Sequence, residues 1–223
     1  MIQKIEEIKL DKLKEGCLLA SIAHAVMVGK YPELSNQHSW DGINYSTQDS
    51  AGCRGTITFF HDKVVAVFQD YNEINYNSYT EELIFKNFEG ADELIIEIAQ
   101  KEALQYVLED VNGEVMPYIS TAFWGGKGQI WSNSDYENLM KKSGHIIENH
   151  LLSLNEGLDA WQEYYEMSQE QRNLVESLFN KKVLIGDKDI VLTKEEVKKL
   201  VDFFGEDICE CEESLNELSI YLK

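Results

Sequence analysis

The chain has 223 residues, 43% of them hydrophobic, with 14 glycines and 2 prolines; that is apolar material for one large domain or two small ones, and it excludes disordered and fibrous architectures. Asp and Glu number 40 against 20 Lys and Arg, a formal net charge of -20, and such a field repels phosphate backbones and anionic lipid unless a basic patch offsets it. The sequence holds no such patch, so the charge argues against nucleic acid and membrane and for a basic protein partner.

From the N-terminal end, Ile5, Ile8, Leu18, Ile22, Ala25 and Val26 recur at three- and four-residue steps ahead of Gly29 and Pro32, the pattern of a first helix over 5–27. The uncharged run 16–29 inside it is shorter than the roughly 20 apolar residues of a membrane span. Glu6, Glu7, Asp11 and Glu15 precede it, whereas a signal peptide begins with a net-positive segment. The expectation is a buried helix in a cytoplasmic protein. Residues 43–69 then turn to β-branched and aromatic runs broken by DSAG and by His61–Asp62, which predicts a three-stranded antiparallel meander. The stretch 71–82 has no period and reads as an exposed connection.

Residues 91–111 are rich in helix formers, with Leu94, Ile95, Ile98, Leu104, Val107 and Leu108 on one side and Asn112–Gly113 at the end; they predict an amphipathic helix. Residues 115–123 read as a strand that pairs with 129–131 across the glycine turn 125–128, Trp124 and Trp131 packing across it. Beyond 133 the texture is helical, with capping pairs at Ser134 and Glu137, Ser168 and Gln171, and Thr193 and Glu196. KVLI and IVLT around GDKD suggest a short hairpin, and a final acidic helix spans about 206–221. The fold class is α+β: a small antiparallel sheet, meander plus hairpin, packed with helices, then a mostly helical C-terminal half. Texture divides the chain into 1–132 and 133–223, within one domain or as two, and no internal repeat is present.

The catalytic and metal motifs fail on spacing. Cys17, Cys53, Cys209 and Cys211 do not make a disulfide framework, and C-x-C at 209–211 lacks the further ligands of a zinc site. In GHIIENH, His145 and His150 are five residues apart, about 140° around a helix, and so do not converge on one ion. His145 is expected at a helix start and His150 as a partly buried polar neighbour. The turn 125–128 is neither a P-loop nor the glycine fingerprint of a dinucleotide site, and no G-x-S-x-G is present. Arg54 and Arg172 are the two arginines against eighteen lysines, which leaves little bidentate recognition of phosphate. No metal and no cofactor is expected.

Glu206, Asp207, Glu210, Glu212, Glu213 and Glu217 crowd the last helix without a base. Beyond a solvated face, they suit docking of a basic protein, since complementary charge speeds association and suppresses wrong partners. The favoured reading is a non-catalytic cytoplasmic binding protein, an inhibitor or immunity-type protein of bacterial or phage defence that blocks a basic macromolecule. The alternative is an enzyme or small-ligand sensor built on His38, Trp40, Asp41, Arg54, Tyr71 and Tyr76 in and around the loop 71–79, where His38 and His61 would titrate. The oligomeric state is not readable from the sequence.

Overall fold

The computed structural model describes residues 2–73, 79–126, 128–186, 188–205 and 208–222. It is an α+β fold, 47% helical and 24% strand, with eight α-helices among the described residues and an antiparallel seven-stranded sheet. None of the helices is long and apolar enough to cross a membrane. The chain forms two compact units, each discontinuous in sequence: residues 1–13 with 41–148, and residues 14–40 with 149–223. These interleave the consecutive stretches that sequence texture separates.

The first unit is organised by the sheet. The expected meander is present as β3 (Asn44–Gln48), β4 (Cys53–Phe60) and β5 (Lys63–Asp70); the strand expected over 115–123 is split, so that Thr121–Gly126 forms β8 and pairs with β9 (Gln129–Ser132) while Glu114–Pro117 pairs with Leu108–Val111. With β1 (Gln3–Ile5) and β2 (His38–Asp41), the order is β1-β9-β8-β5-β4-β3-β2. Trp124 and Trp131 are register partners across the hairpin, and Gly128 supplies a φ of +76° in its turn. The run Val64–Phe68 is wholly buried. Val65 and Val67 join Ile84, Ile95, Ile98 and Leu104 in one core on one face of the sheet, while on the other Phe68 meets Phe123 at 5.8 Å between ring centroids. Burial on both faces explains why β5 reads as a continuous apolar run.

Several expectations on this unit are corrected. Residues 3–5 pair with β9 as β1, and the helix expected from Ile5 starts later, as α1 (Leu10–Met27). The helix expected over 91–111 stops early: α3 (Glu93–Lys101) gives way to a 3-10 turn (Ala103–Tyr106), then to the hairpin β6 (Leu108–Val111) and β7 (Glu114–Pro117). Asn112 and Gly113 have φ of +57° and +90°, the two-residue turn typical of tight hairpins. The dipeptide that reads as a helix stop therefore reverses a strand. α4 (Tyr136–Lys142) is capped by Asp135, whose carboxylate accepts from the N–H of Asn138 at 2.8 Å, one residue beyond the expected Ser134. His145, expected at a helix start, follows the end of α4 with a φ of +59°.

The second unit is helical. α1 is buried around its circumference from Leu19 to Met27, Ser21 and His24 being its only polar residues there, as a central helix of a core must be. α5 (Leu154–Tyr164), α6 (Gln169–Ile185), α7 (Lys194–Phe204) and α8 (Cys209–Glu217) complete the unit, and Leu158, Trp161, Leu174, Leu178, Leu200 and Leu215 share one core with α1. The caps at Ser168 and Thr193 form as expected, and Ser153 with Glu156 adds a third box. The hairpin expected around GDKD does not form. α6 continues to Ile185, and β10 (Ile190–Val191) pairs in parallel with β11 (Ile220–Tyr221), because Ile190 and Ile220 are both core residues.

Candidate functional site

The first unit carries an open groove of about 690 Å³. Its walls come from α2 (Glu81–Lys86), the end of α3, the 3-10 turn and the hairpin β6–β7. Ile84, Leu104 and Val111 are buried at its base and Met116 is half-buried, while Phe85 is 37% and Val115 73% exposed at its lips. Tyr79 fixes one end. Its hydroxyl accepts from the Ile119 N–H at 2.8 Å and lies 3.3 Å from the Ile119 carbonyl oxygen, to which it donates. Burial pushes this phenol up to about 12, so it serves as an anchor and not as an acid.

The rim is acidic. Glu81 and Glu114 line the groove, and none of its lining residues is Lys or Arg. The stretch Tyr79–Pro117 holds ten acidic residues against two basic ones. Ion pairs join Glu97 to Lys101 at 2.6 Å, Asp92 to Lys63 at 3.3 Å and Glu109 to Arg54 at 2.5 Å. Glu81, Glu82, Glu89, Glu93 and Glu114 are exposed and have no ion pair among the described residues. Exposed carboxylates beside Phe85 and Val115 attract cations at long range and leave apolar side chains a place to come out of water.

The residues expected on the last helix are only partly available. Glu206 and Asp207 lie outside the described residues. On α8, Glu210 is half-buried and Glu212 and Glu213 are exposed, whereas Glu217 accepts from the backbone N–H of Trp40 at 2.7 Å.

The alternative set separates between the units. In the first, Arg54 and Tyr71 both donate to Glu109 Oε1 at 2.5 Å, and Arg54 also bonds Gln69. Burial, reinforced by Glu109, raises the Tyr71 phenol. Asp41 accepts from the Tyr106 hydroxyl at 2.7 Å, and burial followed by this carboxylate pushes that phenol up to about 12. Tyr76 lies outside the described residues. His61 turns the chain between β4 and β5 with a φ of +53°. In the second unit, the Trp40 indole donates to Ser21 Oγ at 2.8 Å, and His38 is buried.

Around His38 the second unit assembles a cluster that sequence spacing does not reveal. His24 on α1, His38 on β2 and His150 in the 3-10 turn Glu148–Leu151 are all buried. The His38 ring lies 5.4 Å from that of His24, 5.8 Å from His150 and 5.3 Å from Trp161. His24 Nε2 is 3.3 Å from the Ser35 carbonyl oxygen, which can only accept, so this nitrogen carries the proton. Nδ1 then accepts from the Tyr165 hydroxyl at 3.2 Å. Burial pushes the His24 imidazole down to about 4, against a smaller opposite pull from the Ser35 carbonyl. Burial, then His24 and His150, holds His38 well below its usual range. All three rings are core groups, and those of His24 and His38 are neutral at neutral pH. Among the described residues, no group of three or more His, Cys, Asp or Glu is placed to hold a metal ion, and His145 instead pairs with Glu148 at 2.7 Å.

All four cysteines are free thiols. Burial pushes Cys53 up to about 12 and Cys211 up to about 11, which suppresses the thiolate that nucleophilic or ligating chemistry requires. Compared with known proteins, the chain has no significant match to any family model, curated protein or solved structure. The assignment that stands is therefore structural: an α+β chain of two units, one bearing an acid-rimmed apolar groove.

Proposed function

We propose that this chain is a non-catalytic, cytoplasmic acidic binding protein that inhibits a basic protein partner by blockade, in the manner of an immunity or defence protein. The observation that carries the reading is the open groove of the first unit, whose two charged lining residues, Glu81 and Glu114, are exposed carboxylates with no ion pair among the described residues. Exposed carboxylates that no ion pair holds keep their field for an incoming cation, raising its association rate and turning away polyanions. The four free thiols are what a reducing compartment maintains. Three of the groups named for the enzyme alternative are engaged internally: His38 is a core residue, and Arg54 and Tyr71 are bound to Glu109.

The test is affinity capture from a lysate of the source organism at low and high salt, followed by an activity assay of whatever basic protein is retained. Recovery of one basic protein, weakened by salt and inactive when bound, is the expected result. Failure to retain any basic protein at low salt contradicts the reading.

A further inference from the structure

We propose that the groove of the first unit receives a cationic amphipathic α-helix of the partner, with its apolar stripe against Phe85, Val115 and Met116 and its lysines or arginines against Glu81 and Glu114. This rests on the reading above and specifies its site and the form of the ligand. Phe85, Val115 and half-buried Met116 give the groove its accessible apolar surface, above Ile84, Leu104 and Val111, which already belong to the core, and both charges on the lining are negative. A helix face that fits must therefore present apolar residues at i, i+3, i+4 and i+7 with basic residues beside them. A second copy of this chain is disfavoured as occupant, because it brings a net charge of -20 of its own.

The backbone of the groove wall argues against the other common mode of docking, addition of an extended strand. In the hairpin, Val111 faces Glu114 and Glu109 faces Met116. Residues flanking a two-residue turn exchange both of their hydrogen bonds, and alternate pairs do likewise. The N–H of Tyr118 donating to the Val107 carbonyl at 2.9 Å continues that alternation. It follows that Val115 and Pro117 direct their backbone groups away from β6, along the outer edge of β7. Pro117 has no N–H, so the edge offers a single amide, from Val115, where an added strand needs one at every second residue. The groove must then be read through side chains, which is how a helix docks. Val115, the most exposed large hydrophobic residue on the hairpin at 73%, stands where such a helix would cover it.

The experiment is fluorescence anisotropy with two labelled Lys/Leu peptides of identical composition, one patterned as an amphipathic helix and one shuffled to destroy the stripe. The patterned peptide is expected to bind about tenfold or more tightly than its isomer. Val115→Lys and the double variant Glu81→Lys with Glu114→Lys should each weaken it about tenfold, with unchanged circular dichroism. The double variant Glu212→Lys with Glu213→Lys, the same change of charge on α8, should leave the Kd within about twofold. Equal binding of the shuffled isomer overturns the helical occupant and leaves the basic-partner reading intact. Loss of binding in the α8 variant with wild-type affinity in the groove variants overturns the groove as the site. If neither peptide binds while lysate capture retains a basic protein, this inference fails and the function stands; if capture fails as well, both fall.

Discussion

Acidification should destabilise the second unit, and the size of the effect follows from His24. In the unfolded chain its imidazole takes up a proton near pH 6.5, whereas burial between Ser35 and Tyr165 delays this to about pH 4 in the fold. Between those values the unfolded state binds more protons than the folded one, so stability is fully present above about pH 6.5 and drains away as the pH falls. The complete loss is about 3 kcal/mol, of which about 2 kcal/mol falls between pH 7 and pH 5. His38 shifts in the same direction and adds to it. A competing effect has the opposite sign. The chain approaches its sequence pI of about 4.5 on acidification, so carboxylate repulsion relaxes and net charge alone would stabilise the fold. Urea unfolding followed by tryptophan emission decides between them. With a slope of about 2 kcal/mol/M, the midpoint should drop by about 1 M from pH 7 to pH 5. A midpoint that holds or rises at pH 5 refutes the account of the cluster.

Three substitutions test other parts of the structure. Gly16 lies in α1, and a Cβ there would sit 1.8 Å from the backbone oxygen of His150. Gly16→Ala should therefore destabilise by about 3 kcal/mol or more in urea unfolding, although helix propensity alone predicts a gain of about 1 kcal/mol. Thr193→Ala removes the hydroxyl that accepts from the Glu196 N–H and should cost about 1 kcal/mol, with Thr193→Ser restoring it; faster amide exchange in the first turn of α7 is the readout. Gly113 adopts a φ of +90° with open space around it, so Gly113→Ala should cost about 1 kcal/mol through backbone strain alone and weaken peptide binding by loosening the groove wall.

The elements that the sequence predicts well are those whose signals are local. The β3–β5 meander follows from β-branched runs between tight turns, and the caps at Ser168 and Thr193 follow from one side chain and its third neighbour. Elements set by distant partners are not legible in this way. Residues 3–5 carry no strand signal of their own and become β1 by pairing with β9. Leu108–Val111 contains good helix formers, yet the left-handed geometry at Asn112 and Gly113 and the burial of Val107 and Val111 against the sheet draw it into a hairpin.

The candidate site divides along the same line. The surplus of carboxylates is visible at once in the composition, but counting runs of acid points to α8, where Glu217 is occupied by Trp40. The groove arises only when α2, the 3-10 turn and the hairpin meet. A signal for it does exist in the stretch 79–117, where ten acidic residues alternate with Ile84, Phe85, Leu104, Val111 and Val115. The histidine cluster has no such signal, since positions 24, 38 and 150 share neither spacing nor local pattern.

The most direct test of the central claim is to follow the backbone amide resonances of the whole chain while the captured basic partner is titrated in. The account predicts that Glu81, Phe85, Leu104, Glu114 and Val115 shift first and saturate together. Shifts confined to α8, or spread evenly over both units, would contradict it.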